Sequence, residues 1–336
     1  MKLGLDHIGQ VTEDKLKFAA QMGVDGVITN PEIGSDDKGY YEFAQLVNLR
    51  TQVESYGLKL EGIFGSIPWL RNYKWMLGLP GRDEQIDNCQ KTIRNMGAAG
   101  IPIFTYNAHA LRFYRTSQHT LGRGGALATS FHIELVKNAP LMTGGPDIDT
   151  SLIPSSHRSP ISDDEMWDNL TYFLKAVIPV AEEAGVKLAL HPDDPPIPTI
   201  GGVARIMRSP EAFRRVIKIV PSDNNGLLFC QGCFKEMGAN VVEEIHYFGS
   251  RKKIFWVHFR NISGTAQRFT ETFLDDGQIN TLQAMKAYKE AGFDGYLAPD
   301  HKLGIVGDSE WGHRYWAYAI GYIKGLMKAV DEIEKA

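Results

Sequence analysis

The chain has 336 residues, a formal net charge of -4 and 43% hydrophobic residues, which is typical of a globular protein with a large core. The mild negative charge, without a face rich in lysine and arginine, argues against a nucleic-acid partner. No apolar stretch reaches about 18 residues and none follows the first methionine, so we expect neither a membrane segment nor a secretory signal. Three cysteines make no disulfide framework and favour a reducing cytoplasm.

Short β-rich runs alternate with longer amphipathic runs along the chain. The predicted strands are Lys2–Ile8, Val27–Thr29, Leu58–Gly65, Ile101–Asn107, Val186–His191, Gly226–Gln231, Lys253–Arg260 and Gly295–Asp300. The predicted helices lie at or within Thr12–Gly23, Gly39–Gly57, Arg82–Gly100, Asp163–Gly185, Pro210–Val220, Asn240–Gly249, Thr281–Gly292 and His313–Lys335. Eight strand-then-helix units predict one α/β domain over residues 1–336, a closed (β/α)8 or TIM barrel.

Local sequence signals support several helix boundaries. Ser162 and Glu165 have the spacing of a capping box before an apolar run. Ser209 precedes Pro210, which is the order expected of a helix N-cap and a first-turn proline. Gly185 stands where a helix would end before the next strand.

A long segment at about 108–161, after the fourth strand, does not follow this alternation. It is rich in Gly, Ser, Thr and His and has poor periodicity. Inserts of this length are often functional, so we expect a lid or binding loop over the C-terminal face of the barrel. The alternative is a solvent-exposed excursion without a role at the site.

Four consecutive predicted strands end in good metal ligands. The fifth to eighth strands end at His191, Cys230, His258 and Asp300. In a barrel of this kind the C-terminal ends of the strands carry the chemistry, so these four side chains should share one rim. Two imidazoles, a thiolate and a carboxylate suit Zn²⁺, Fe²⁺, Co²⁺ or Ni²⁺, and the carboxylate also suits Mn²⁺. Taken singly, a His or Cys at a strand end is more often an ordinary core residue, and it is their joint placement that favours a metal site.

Other polar side chains near the same rim are candidates for binding an anionic substrate. Arginine can hold a carboxylate in bidentate fashion, while a plain solvated loop is the competing interpretation. Asp193 belongs to the proline-stiffened run HPDDPP, whose carboxylates could orient a ligand or bind substrate. The remaining candidates are Asn107, His109, Arg112, Arg115 and Arg260.

Several runs of the sequence resemble the mannonate dehydratase family. The most specific is the helix and strand from Asn169 to His191 together with the HPDDPP that follows. Shorter runs fall in the family's order, namely LGLPGRD (77–83), TIRN (92–95), YN (106–107), FCQG (229–232), HFR (258–260), DG (276–277) and PDH (299–301). The resemblance covers most of the chain from about Leu58 onward.

This resemblance implies a xylose-isomerase-like barrel with a divalent metal, commonly Mn²⁺. The implied ligands are His191, Cys230, His258 and Asp300, which agree with the strand ends. The implied reaction removes water from D-mannonate, a sugar acid, to give 2-keto-3-deoxygluconate. His301 corresponds to a residue expected to transfer a proton. Barrels of this group often associate, so we expect a homo-oligomer.

The sequence also departs from the family's pattern. The family usually has Arg where this chain has Ala298, and its first strand typically ends in a Trp/Tyr-Gly element, whereas this one reads LDHIG (5–9). For a catalytic tyrosine expected soon after Asp-His, Tyr315 is the candidate, with Trp311 or Ser309 as alternatives at that place.

The leading hypothesis is a metal-assisted β-elimination, in which a base takes the C2 proton and an acid protonates the departing C3 hydroxyl. His301 is the candidate for one role and Tyr315 for the other. A metal-dependent sugar isomerase or epimerase would use the same ligands without expelling a hydroxyl. A non-catalytic sugar-acid-binding relative is the third hypothesis.

Overall fold

Eight parallel strands close into a barrel in the computed structural model, which describes residues 1–31, 38–63, 73–109, 113–136 and 160–333. The closed order is β1-β14-β11-β10-β7-β4-β3-β2, with the strands numbered along the chain. They are β1 (Lys2–Leu5), β2 (Gly26–Ile28), β3 (Lys59–Ile63), β4 (Ile103–Asn107), β7 (Lys187–His191), β10 (Asn225–Cys230), β11 (Ile254–Phe259) and β14 (Tyr296–Pro299). The predicted α/β barrel is therefore confirmed.

Helices follow the barrel strands and cover their outer faces. The longer ones are α1 (Glu13–Met22), α2 (Phe43–Glu54), α4 (Arg82–Ala98), α6 (Asp163–Ala184), α7 (Pro210–Ile219), α9 (Val241–Gly249), α10 (Thr281–Glu290) and α11 (His313–Ile333). Shorter ones are α3 (Tyr73–Leu77), α5 (Ile133–Val136) and α8 (Gln231–Glu236). In the part of the chain that the structure describes, no helix combines the length and apolar character needed to cross a membrane.

The predicted caps of α6 and α7 are confirmed. The Ser162 hydroxyl accepts a hydrogen bond from Glu165 N, and the Glu165 carboxylate accepts one from Ser162 N in return. Gly185 ends the same helix with a φ of 68°, a left-handed conformation that costs glycine little. Ser209 caps α7 by accepting a hydrogen bond from Ala212 N. These caps fix where the chain leaves one helix and enters the next strand.

A small antiparallel sheet lies beside the barrel and was not predicted. It has the order β12-β13-β6-β5, formed by β5 (Ser117–Leu121), β6 (Leu127–His132), β12 (Ile262–Thr265) and β13 (Arg268–Glu271). Two short strands, β8 (Thr199–Ile200) and β9 (Val203–Ala204), form a separate hairpin. Residues 113–136 of the expected irregular insert are thus an ordered part of the fold. Residues 110–112, with the candidate Arg112, and residues 137–159 lie outside the described residues.

The barrel interior is filled by large aromatic rings below the strand ends. Trp256 and Tyr296 stack with their ring centroids 5.1 Å apart. A Cβ at Gly4 would lie 2.6 Å from Trp256 Cζ2, so glycine at this position makes room for the indole. Ala298 is fully buried in the same cluster. The position at which the family usually has Arg therefore lies in the packed interior, one layer below the rim that Asp300 occupies.

Candidate active site

A cavity of about 1080 Å³ opens at the C-terminal ends of the barrel strands. The predicted strand-end residues His191, His258 and Asp300 border it, and so does His301. His7, which follows β1, borders the same cavity. The rim that the alternation of strands and helices predicts is thus the place where polar side chains gather.

The four predicted metal ligands converge in space. The ligand atoms of His191, Cys230 and His258 all lie within 4.8 Å of one another. Asp300 Oδ2 lies 3.8 Å from Cys230 Sγ and 3.5 Å from His258 Nδ1. These four side chains would hold one divalent ion. Two imidazoles, a thiol and a carboxylate therefore fit a borderline divalent ion.

Hydrogen bonds orient the two ligand imidazoles. His191 Nδ1 donates to the carbonyl of Pro192 at 2.7 Å, which leaves Nε2 as the nitrogen available to a metal. His258 Nε2 donates to Asp6 Oδ2 at 2.8 Å, so that Nδ1 is on the side of Asp300. Each ring is therefore held by its second nitrogen, as is usual for metal-binding histidines.

Electrostatics favour negative charge on the thiol and carboxylate of the cluster. Burial alone would raise the pKa of Cys230, but hydrogen bonding from Cys233 and the charge of Arg260 lower it well below its usual value. Burial also opposes ionisation of Asp300, yet His258 and His301 lower its pKa. Burial alone would lower the pKa of His258, while the carboxylates of Asp300 and Asp6 raise it well above 6.5. The lowered pKa values of Cys230 and Asp300 favour the anionic forms in which a thiol and a carboxyl group bind a metal.

Arg115 and Arg260, both predicted to bind substrate, donate hydrogen bonds to protein carboxylates and are not among the side chains that border the cavity. Arg115 donates two hydrogen bonds of 2.7 Å to Asp194 and one of 2.8 Å to Glu271. Arg260 donates to Glu271 Oε2 at 2.8 Å, to Glu236 at 2.6 Å and to Asp194 at 3.1 Å. Both guanidinium groups are buried. These five side chains are called the buried ion cluster below.

Charge is nearly balanced within the buried ion cluster. Burial opposes ionisation of Asp194, but Arg115 and Arg260 lower its pKa well below the usual value. Burial raises the pKa of Glu236 and the charge of Asp194 raises it further, which favours the protonated form of this side chain. Two arginines then face two carboxylates, Asp194 and Glu271. Because Asp194 also borders the cavity, the cluster supports one wall of the site.

Asp193, another predicted substrate-binding residue, is not among the side chains that border the cavity. It is buried and lies 3.3 Å from His109 Nδ1 and 3.7 Å from Arg205 Nη1. Its Oδ2 accepts a hydrogen bond of 2.7 Å from Met207 N. These contacts fasten the loop after β7. His109 and Asn107, by contrast, both border the cavity.

The two candidates for proton transfer have different positions. His301 borders the cavity, with Nε2 3.5 Å from Asp300 Oδ2 and 3.6 Å from Asp194 Oδ2. Tyr315 is buried, packs against neighbouring aromatic rings and is not among the side chains that border the cavity. Its backbone N–H caps the start of α11 by donating to Asp308 Oδ2 at 3.0 Å. Of these two candidates, His301 is the one that borders the cavity.

Sequence reasoning missed Asp6 and His7 at this site. Both come directly after β1, where Asp6 is buried and His7 borders the cavity. His7 Nδ1 donates to Asp6 Oδ1 at 2.7 Å, and His7 Nε2 lies 3.4 Å from Asp300 Oδ1. The strand-end rule that identified the four ligands would have identified this pair too, had it been applied to the first strand.

Comparison with known proteins gives a consistent result. The family model described as D-mannonate dehydratase (UxuA) matches residues 1–336. The curated mannonate dehydratase of Thermotoga maritima is 33% identical, and the match covers 93% of this chain and 92% of that protein. The crystal structure of mannonate dehydratase from Streptococcus suis serotype 2 matches with a TM-score of 0.88 and 29% identity, covering 99% of this chain and 96% of that one.

A more distant likeness concerns the fold alone. A xylose isomerase domain protein from Planctomyces limnophilus matches with a TM-score of 0.61 at 13% identity, covering 98% of this chain and 99% of that one. The barrel is thus of the xylose-isomerase-like kind.

Proposed function

The chain belongs to the mannonate dehydratase family of hydro-lyases, and on that premise we propose that it removes water from D-mannonate to give 2-keto-3-deoxygluconate with the help of a divalent ion. The observation that carries this proposal is the convergence of His191, Cys230, His258 and Asp300 at the cavity. These four side chains would hold the ion, with Mn²⁺ as the first candidate and Fe²⁺, Co²⁺, Ni²⁺ or Zn²⁺ as others.

A divalent ion bound to a hydroxy acid would stabilise the negative charge that develops when the proton next to the carboxylate is removed. The protein itself must supply the proton transfers. His301 is the side chain best placed for one of them, because it borders the cavity beside Asp300 and Asp194. Arg115 keeps Asp194 in place through its two parallel hydrogen bonds, so the carboxylate beside His301 stays ionised and fixed.

Polar side chains around the cavity suit a hydroxylated anion. Asn107 and His109 can exchange hydrogen bonds with sugar hydroxyls. Lys15 and Lys302 also border the cavity and can bring positive charge to a carboxylate. Lys15 is held by two backbone carbonyls, Ile8 O at 2.7 Å and Gln10 O at 2.9 Å. These two lysines can present positive charge to a bound carboxylate, whereas Arg115 and Arg260 are paired with carboxylates of the protein.

Turnover of metal-stripped protein tests the proposal. The protein is incubated with D-mannonate before and after Mn²⁺ is restored, and the 2-keto-3-deoxy product is followed. We expect product only with metal, and none from His191→Ala or Asp300→Ala. Metal binding without a deoxy product would contradict the proposed dehydration. An epimerised or isomerised sugar in its place would favour the isomerase alternative, and bound ligand without any turnover would favour the binding protein.

Two further properties belong to the proposal. The cysteines Cys89, Cys230 and Cys233 are free thiols, which suits a reducing compartment such as the cytoplasm. We also expect a homo-oligomer, and light scattering coupled to size exclusion would measure the number of subunits.

A further inference from the structure

Asp6 joins the candidate metal site to a second histidine that borders the cavity. It is buried directly after β1, and its two oxygens accept hydrogen bonds from three side chains. Oδ2 accepts from His258 Nε2 and from Trp256 Nε1, both at 2.8 Å, and Oδ1 accepts from His7 Nδ1 at 2.7 Å. We propose that Asp6 is a positioning residue that turns His258 Nδ1 toward the metal and His7 Nε2 toward the substrate.

Asp6 determines which nitrogen of the ligand His258 carries the hydrogen. A carboxylate can only accept, so the nitrogen that faces Asp6 must carry the hydrogen. That nitrogen is Nε2, and a neutral imidazole then has its lone pair on Nδ1. Nδ1 lies 3.5 Å from Asp300 Oδ2, on the side of the other ligands. Asp6 thereby selects which nitrogen of His258 serves as the ligand.

Asp6 also orients the ring of His7. Its Nδ1–H is used by Asp6, so Nε2 is the nitrogen on the side of Asp300, 3.4 Å away. About a third of the His7 side chain is exposed, at the cavity wall. Since a substrate bound at Asp300 would lie within reach of this nitrogen, His7 contacts the substrate. This contact rests on the proposed function, whereas the orientation of His258 does not need the substrate to be correct.

Trp256 makes the position of Asp6 a rigid one. Its indole is fully buried in the barrel interior, against Tyr296 and against Gly4. Its Nε1–H points up from this packed layer to Asp6 Oδ2. A carboxylate held from below in this way can orient two rings above it without moving itself. The hydrogen bond between Asp6 and His258 joins residues that are 252 positions apart in the sequence.

The test compares Asp6→Asn, His7→Gln and the control Asp14→Asn. Asp14 borders the same cavity but contacts His313, so its variant removes one negative charge without touching His7 or His258. Affinity for Co²⁺ is measured through the thiolate-to-cobalt absorption that Cys230 would produce. At position 6 an asparagine would keep its amide oxygen toward Trp256 Nε1 and His258 Nε2, because the indole can only donate, and its NH2 group would face His7. The neutral amide is a weaker acceptor than the carboxylate, so we expect Asp6→Asn to bind Co²⁺ about 10–100-fold more weakly. Both other variants should stay within about threefold of wild type.

Nitrogen NMR of the Zn²⁺-loaded protein, labelled with ¹⁵N-histidine, checks the orientation directly. We expect a zinc-bound Nδ1 and a protonated Nε2 for His258. A zinc-bound Nε2 in wild type, or unchanged Co²⁺ affinity in Asp6→Asn, would overturn the positioning role. A loss of affinity in Asp14→Asn as large as that in Asp6→Asn would reduce the effect to bulk charge and overturn it as well.

The role of His7 is read from kinetics. With D-mannonate, His7→Gln should lower kcat/KM by about 10–100-fold while Co²⁺ affinity is kept. Wild-type kinetics in this variant would overturn the substrate contact, and a loss of Co²⁺ affinity would make His7 a metal ligand instead. If wild-type protein binds Zn²⁺ through His258 Nδ1 but does not turn over D-mannonate, the proposed function fails while the positioning role of Asp6 stands.

Discussion

Removing the guanidinium of Arg260 should strongly destabilise the protein. Arg260 lies at the centre of the buried ion cluster, where it donates to Glu271, Glu236 and Asp194. In Arg260→Ala only Arg115 remains to balance Asp194 and Glu271, so one buried carboxylate is left without compensation. Breaking a buried ion pair from one side costs about 3–5 kcal/mol. That loss lowers the folding equilibrium constant by roughly two to four powers of ten.

Urea unfolding at neutral pH measures this loss. Tryptophan fluorescence and circular dichroism are followed together, since coincident transitions justify a two-state fit. The matched control is Arg123→Ala, which removes an arginine that pairs with Asp275 at 2.8 Å on the surface. Because that pair is exposed and Arg123 also stacks on Phe273, we expect a loss of about 1 kcal/mol at most.

A third variant separates charge from geometry. Arg260→Lys keeps the positive charge but loses the planar fork that contacts three carboxyl groups, so its free energy of unfolding should lie between those of wild type and Arg260→Ala. The reasoning is refuted if Arg260→Ala loses no more stability than Arg123→Ala. It is also refuted if Arg260→Lys is as unstable as Arg260→Ala, because burial of unpaired charge would then not be the cause.

The buried Glu236, the packing around Gly4 and the candidate metal site each allow a further measurement. The pKa of Glu236 is raised in the folded state, so the wild-type protein loses stability as pH rises above about 4.5, where Glu236 of the unfolded chain ionises. Glu236→Gln lacks this ionisation and should therefore gain stability relative to wild type by up to about 1.4 kcal/mol per pH unit. A constant difference between the two free energies of unfolding from pH 5 to 8, measured in urea, would contradict this. Gly4→Ala should lower the free energy of unfolding by about 1–3 kcal/mol, because the added Cβ would clash with Trp256. The control Gly321→Ala, inside α11 with nothing within 4 Å of the added Cβ, should raise it by about 0.5–1 kcal/mol. Equal effects of the two variants in urea unfolding would refute the close approach of Gly4 and Trp256. Restoring Mn²⁺ at 100 times its Kd should stabilise stripped protein by about 2.7 kcal/mol, seen as a higher Tm, and His191→Ala should lose this shift.

The barrel could be predicted because its signals are local. Each strand and helix is short in sequence, and turn and cap residues such as Ser162, Ser209 and Gly185 mark the boundaries. Parallel strands in such a fold end at one rim, so polar residues at four strand ends were expected to meet, and they do. The family resemblance seen in the HPDDPP run and its neighbours is confirmed by the match over residues 1–336.

The antiparallel sheet could not be predicted in the same way. Strands β5 and β6 belong to one stretch of sequence and β12 and β13 to another, and Phe131 pairs with Phe269 across 138 positions. Neither hairpin has a hydrophobic face that is satisfied alone, and the cluster that includes Tyr114, Phe131 and Ile262 forms only when they meet. Because the pairing is non-local, the sequence of either segment alone gives only a weak indication of this sheet.

The sequence by itself determined the order of elements, the rim and the four side chains that meet there. Only the tertiary structure decided what the longer polar side chains do. Arg115 and Arg260 could have reached the cavity, but carboxylates from β13 and α8 lie closer to them and are buried, so the arginines pair with protein groups. The pairing of Asp6 with His258 was likewise decided by barrel closure. A charged side chain takes the partner that removes the largest cost of burial, and that partner is set by packing between segments far apart in the chain.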